Sequence, residues 1–179
     1  MQINAVWPGK RCYYLFAKGD KIVYPMYGAG VIEELENREI DGDDRVFYVL
    51  KIPVGSLKIM IAAMNAEQLG IRRIYGKEEI LHIIGSVASR PIEMPENWNQ
   101  RYKANMEKVK SGKLSEVALV FRNLLLRERE RGLSSAEKKM LTTAKQIILS
   151  ELILSQDVEK STAEDILMNI IEPSVAYGT

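Results

Sequence analysis

Hydrophobic and polar positions change period near residue 76. Ahead of it, β-branched and aromatic residues run in short stretches: 21–24 (KIVY), 30–40, 45–52 (RVFYVLKI) and 57–62 (LKIMIA). Pro25 with Gly28-Ala29-Gly30, the run Asp41-Gly42-Asp43-Asp44, and Pro53-Val54-Gly55-Ser56 separate them. Asp and Gly tolerate positive φ, so these breaks predict turns between paired strands. Short strands at close spacing predict a small barrel. The segment is too short for a two-sheet sandwich, which leaves an SH3- or Tudor-like barrel.

Beyond Gly76 the apolar spacing is helical. Over 78–88, Ile80, Leu81, Ile83, Ile84 and Val87 share a side. Residues 89–96 carry Pro91 and Pro95 and read as a linker. Asn97 can cap a helix that starts at Trp98 and runs to about Lys110, where Ser111-Gly112 ends it. Residues 114–131 place Val117, Val120, Phe121, Leu124 and Leu125 on one stripe, stopped by Gly132. Ser134-Ser135-Ala136-Glu137 has the form of a capping box, opening a helix to about Leu154. Ser161-Thr162-Ala163-Glu164 repeats that form before a last helix ending near Glu172-Pro173. The fold class expected is α+β: an extension (1–15), a β-barrel (16–76), a connecting helix and linker (77–96), an all-α bundle (97–172) and a tail (173–179).

Charge adds what periodicity does not. The 179 residues sum to +1, but unevenly. Residues 97–149 hold twelve Lys/Arg against five Asp/Glu, a net of +7; residues 150–179 carry −5, and 16–78 carry −1. Arg101, Lys103, Lys108, Lys110 and Lys113 lie along one predicted helix. Arg127, Arg129, Arg131, Lys138 and Lys139 gather around Gly132. Such a patch suits phosphate contact, where released counterions supply much of the affinity. A solvated helix face has the same composition, and Glu128 and Glu130 favour that reading locally. Trp98, beside Asn97 and Asn99, can press on a base step or simply pack.

The other constellations are poor. His82 is the sole histidine and sits among apolar residues, with nothing to build a zinc site or a triad. Gly28-Ala29-Gly30 lacks a third glycine and is followed by a strand, unlike a dinucleotide fingerprint. Asp41, Asp43 and Asp44 lack the long loop and terminal Glu of a calcium site. A binding protein is therefore expected rather than an enzyme, with no metal, cofactor or small-molecule substrate. Residues 57–61 form either a sheet edge open to a partner strand or a strand buried in the barrel. Cys12 has no internal disulfide partner, so a reducing cytoplasm is the simple reading. No apolar run reaches the roughly 18–20 residues of a membrane span. Lys10 and Arg11 precede only a short apolar patch, a poor signal peptide; residues 1–15 read as a tag or an upstream start.

Residues 16–20 (FAKGD) with 23–32 (VYPMYGAGVI) resemble the opening of the CarD/CdnL family of bacterial RNA polymerase-binding regulators, an opening shared with transcription-repair coupling factors. Residues 97–108 (NWNQRYKANMEK) resemble that family's DNA-binding helix, and 129–141 (RERGLSSAEKKML) the turn between its later helices. With no helicase motor following, a coupling factor itself is not expected. The resemblance, over about residues 16–171, implies a barrel docked on the RNA polymerase β subunit through Arg38, Leu57, Ile59 and Met60. It implies promoter double-stranded DNA held at the upstream bubble edge by Trp98, Asn97, Arg101, Lys103, Lys108, Lys138 and Lys139. Trp98 would wedge into the minor groove and stabilise the open complex. Met60 stands where relatives often carry arginine. Gln100 replaces a basic residue of some relatives, so more of the contact falls to Arg101 and Lys103. A cytoplasmic, nucleoid-associated protein is implied; the alternative is a DNA-architectural protein or repressor that binds duplex without polymerase.

Overall fold

The computed structural model describes residues 3–7, 10–91 and 94–172, with side chains from Tyr14 onward. The elements run β1 (Ile3–Trp7), β2 (Lys10–Tyr14), β3 (Lys21–Tyr24), β4 (Gly28–Ile40), β5 (Asp43–Ile52), β6 (Leu57–Ala62) and β7 (Arg72–Arg73). Among the described residues five α-helices follow: α1 (Lys77–Ala88), α2 (Trp98–Lys110), α3 (Leu114–Arg131), α4 (Ser135–Gln156) and α5 (Lys160–Ile171). Among the described residues no helix is long and apolar enough to cross a membrane. The tail expected over 173–179 lies outside the described residues.

β3 to β7 form one antiparallel sheet in the order β6-β5-β4-β3-β7, a Tudor-like arrangement. Side chains alternate across a strand, and the buried set Ile22, Ile32, Tyr48, Leu50, Ile52 and Ile61 forms its core with Phe16. The Phe16 ring meets Tyr48 edge-on at 6.0 Å. Three sequence expectations change here. Within the expected extension, β1 and β2 pair antiparallel as a two-stranded sheet of their own. β4 starts at Gly28, two residues earlier than expected, because Gly28 and Gly30 serve as close-approach positions rather than as breakers. A Cβ on Gly30 would lie 2.6 Å from Lys51 O. β7, two residues long, is below what a sequence pattern can register.

The helices bury a second core, with Ile84, Val117, Leu124, Ile148 and Leu167 fully enclosed. Full burial of a side chain such as Leu124 stabilises by about 1.5–3 kcal/mol. α1 inserts Ile80, Ile84 and Val87 into that core, so it is a packed member rather than only a connection. The Ser134–Glu137 capping box forms as expected. The second one does not: α5 starts at Lys160 behind Glu159, without a side-chain cap, leaving Ser161 inside the first turn.

Sheet and helices meet along one seam. On the sheet face that carries Val23, Ala29 and Arg72, the C-terminal half of α4 covers the β3–β4–β7 end. Ala29 N donates to Ser150 Oγ at 2.7 Å, and a Cβ on Gly28 (φ 103°) would lie 2.4 Å from that oxygen. Glu151, fully buried, takes two bonds from Arg72 (2.7 and 2.9 Å) and one from Tyr75 N (3.0 Å). Arg72 also reaches Gly112 O, Ser155 Oγ donates to Tyr75 O, and Lys21 Nζ donates to Leu154 O. A buried charge persists when its partners satisfy it, and here the partners lie on opposite sides of the seam.

Candidate functional site

β6 forms one edge of the sheet. Its alternation divides the residues expected there. Ile59 packs against the sheet core and Ile61 belongs to it, with Leu57 on their side but 45% exposed. Met60, 39% exposed, points to the opposite face, in register with Val49 and through it with Glu34. Arg38 shares that face through the neighbouring Glu36–Phe47–Ala62 row. The structure thus brings Arg38 and Met60 to one face and turns Ile59 away. Arg38 is not a free cation: its guanidinium holds Glu36 Oε2 at 2.9 Å. Toward the other end of β6, Lys58 and Lys51 converge on Glu33 at 2.6 and 3.2 Å. Those two ammonium groups hold the Glu33 carboxyl below its usual range.

On the helical unit, Trp98 is the first residue of α2 and is 55% exposed. Packing does not consume it. Asn97 fixes its place by capping: the side-chain oxygen accepts from Asn99 N (3.0 Å) and Gln100 N (3.2 Å). Helix side chains lean toward the N-terminus, so Trp98 overhangs the start of α2.

Arg101 does not stand where a phosphate contact needs it. It is 2% exposed and its Nε lies 2.7 Å from Glu137 Oε1. Its NH1 donates to Pro95 O (3.0 Å) and Glu96 O (2.8 Å). The expectation fails because Arg101 falls on the inner face of α2, with Asn105 and Val109. Its work is internal: it ties the chain just ahead of Trp98 to the α4 capping box, where Glu137 Oε2 receives Ser134 N and Oγ. The box is legible in local sequence; its partner is not, since the link spans 36 residues.

The remaining cations differ. Lys103, Lys110 and Lys113 on or beside α2, and Lys139 on α4, are exposed and form no ion pair with any described residue. Lys138 pairs with Glu128 at 3.2 Å. Lys108 is half-buried in a small cleft with Arg90, Pro91 and Leu119. What remains is a protruding indole with uncompensated lysines along two helices, and a separate sheet face ending in a partly apolar edge.

Both halves match known families in the same order. Residues 16–75 match the CarD-like/TRCF RID domain, and residues 82–168 match the C-terminal domain of CarD. The Bacillus subtilis (strain 168) protein named "Putative transcription factor YdeB" is 35% identical over 138 residues, covering 77% of this chain and 90% of that relative. Two domains matched in sequence, and a relative matched along most of both chains, lead to one conclusion: the chain belongs to the CarD/CdnL family of transcription regulators.

Proposed function

We propose that the protein regulates transcription initiation by binding the RNA polymerase β subunit with its sheet unit (16–76) and promoter duplex with its helical unit (97–172), at the upstream edge of the bubble. Arg38 and Met60 form the polymerase face on this reading, with Leu57 exposed on the other side of the same β6 edge. Trp98 is the wedge, and Lys103, Lys139, Lys138 and Lys108 are the phosphate contacts. Asn97 and Arg101 hold Trp98 in place without touching DNA. The protein works in the bacterial cytoplasm on the nucleoid and needs no cofactor.

The observation that carries this reading is that Trp98 is capped, anchored and yet more than half exposed. An aromatic ring held out in water, on the same helical unit as the unpaired lysines, suits insertion at a base step. Unstacking a step costs on the order of a few kcal/mol, and less at a bubble edge where stacking is already disturbed. The seam contributes the second part. Docking one unit on polymerase raises the effective concentration of the other at the promoter, so a weak DNA contact suffices. A wedge that occupies the fork opposes reannealing, and the open complex lives longer.

Titrating the full chain against isolated β subunit, and separately against random and promoter duplexes at two salt concentrations, tests this. Binding to β, with weak, salt-sensitive and sequence-tolerant binding to both duplexes, is the expected result. Strong preference for one sequence with little salt effect contradicts it.

A further inference from the structure

A groove of about 480 Å³ lies between α2 and α4, its nearest α2 residue Tyr102 one helical turn along from Trp98. Tyr102, Met106 and Val109 form its α2 wall; Lys139, Met140 and Thr143 belong to the α4 wall. Met26, from the β3–β4 turn and with φ of 72°, also lines it. Trp98 stands one helical turn ahead of Tyr102 on nearly the same side of α2, outside the groove's own lining.

Two properties define what this groove fits. Its lining is apolar and polarisable, with three methionines and the ring of a half-buried tyrosine, which suits a flat aromatic guest. Its borders are cationic. Lys139 lies in the α4 wall, and helical periodicity sets Lys103 and Lys110 beside the Tyr102–Met106 stripe on its solvent side. None of these three amines has an ion-pair partner among the described residues. An apolar peptide would leave those lysines unanswered. A nucleotide answers both features, with a base for the groove and phosphates for the borders.

We infer that this groove is a nucleotide site that receives one unpaired base of the promoter strand opened beside Trp98. The inference rests on the DNA-binding reading above and adds to it a destination for the unstacked base. The base lies against the Tyr102 ring and the methionine side chains, and its flanking phosphates face Lys139 and Lys103. Van der Waals contact and stacking tolerate every base, so the site discriminates unpaired from paired DNA rather than one sequence from another.

The test compares the full chain on two duplexes of equal length and sequence, one fully paired and one with a single unpaired base on one strand. Wild-type protein should bind the second about 5- to 100-fold tighter, the range that stacking one base on an aromatic ring supplies. Two variants should abolish that preference while keeping affinity for paired duplex. Ala136→Trp fills the groove from an exposed position in its α4 wall, and Tyr102→Leu removes the ring. Equal wild-type affinity for the two duplexes would overturn the groove assignment and leave the DNA-binding reading standing. No binding to either duplex would overturn both. A preference that survives both variants but disappears in Trp98→Ala would move the base from the groove to the indole and overturn the inference.

Discussion

Arg101 Nε lies 2.7 Å from Glu137 Oε1, both side chains only about 3% exposed, and this one pair joins the two segments that present the helical unit's exposed chemistry. On one side it holds the carbonyls of Pro95 and Glu96, immediately ahead of Trp98. On the other it completes the cap of α4, immediately ahead of Lys138 and Lys139. Removing one member of a buried pair leaves the other charge uncompensated, at a cost of about 3–5 kcal/mol. Arg101→Ala should therefore lower unfolding stability by that order in a denaturant titration. A loss below about 1 kcal/mol would mean that the pair is not the anchor described.

The same carboxylate gives a pH signature. Burial pushes the Glu137 carboxyl up, but bonds from Arg101 and Ser134 and the Arg101 charge outweigh it and hold it below the ordinary value. A carboxylate lowered in the fold contributes stability above its unfolded pKa, about 4.3, and loses that contribution as pH falls through the folded value. Glu137→Gln should be less stable than wild type at pH 7, and the gap should narrow on acidification below about pH 4.5. A gap independent of pH between 7 and 3 would contradict the ionised pair.

At the seam, Gly28→Ala should separate sheet from helix. The added Cβ would meet Ser150 Oγ at 2.4 Å in a backbone already at φ 103°. Overpacking of this kind costs about 1–3 kcal/mol, before the backbone strain is added. Limited proteolysis between the units should accelerate. Unchanged cleavage would show that α4 tolerates displacement.

The lysines should differ in their effect on DNA. Lys103→Glu removes an exposed cation with no partner, so duplex affinity should fall and the salt slope should shrink by about one. Lys138→Glu removes a cation already paired with Glu128 and should cost less. Equal losses would indicate that the Glu128 pair opens on binding.

Much of this fold is legible in local pattern. α2 and α3 keep the bounds that capping and periodicity predict, because Asn97 and Gly132 act on their own neighbours. What local pattern cannot carry is distance. Arg101 belongs to a basic run by composition, yet its position on the inner face of α2 and a partner 36 residues away bury it. Glu151 reads as one more helical carboxylate until Arg72, 79 residues earlier, closes on it across the seam. Gly28 carried a long-range signal, a glycine inside a strand, that is easily mistaken for a break. The site divides the same way. Trp98 is visible from its place at a helix start, whereas the groove one turn further along α2 exists only once Met26 is brought from the sheet to two helices.

The most direct measurement is the lifetime of the promoter open complex under competitor challenge, with full-length protein added to polymerase. Wild-type protein should lengthen that lifetime. Trp98→Ala should lose the effect while still co-purifying with polymerase and melting at the wild-type temperature, since a residue 55% exposed contributes little to the fold. Leu57→Asp combined with Met60→Asp should lose both polymerase binding and the effect. A wild-type protein that binds polymerase but leaves the lifetime unchanged, or a Trp98→Ala protein that prolongs it as fully as wild type, would contradict the account.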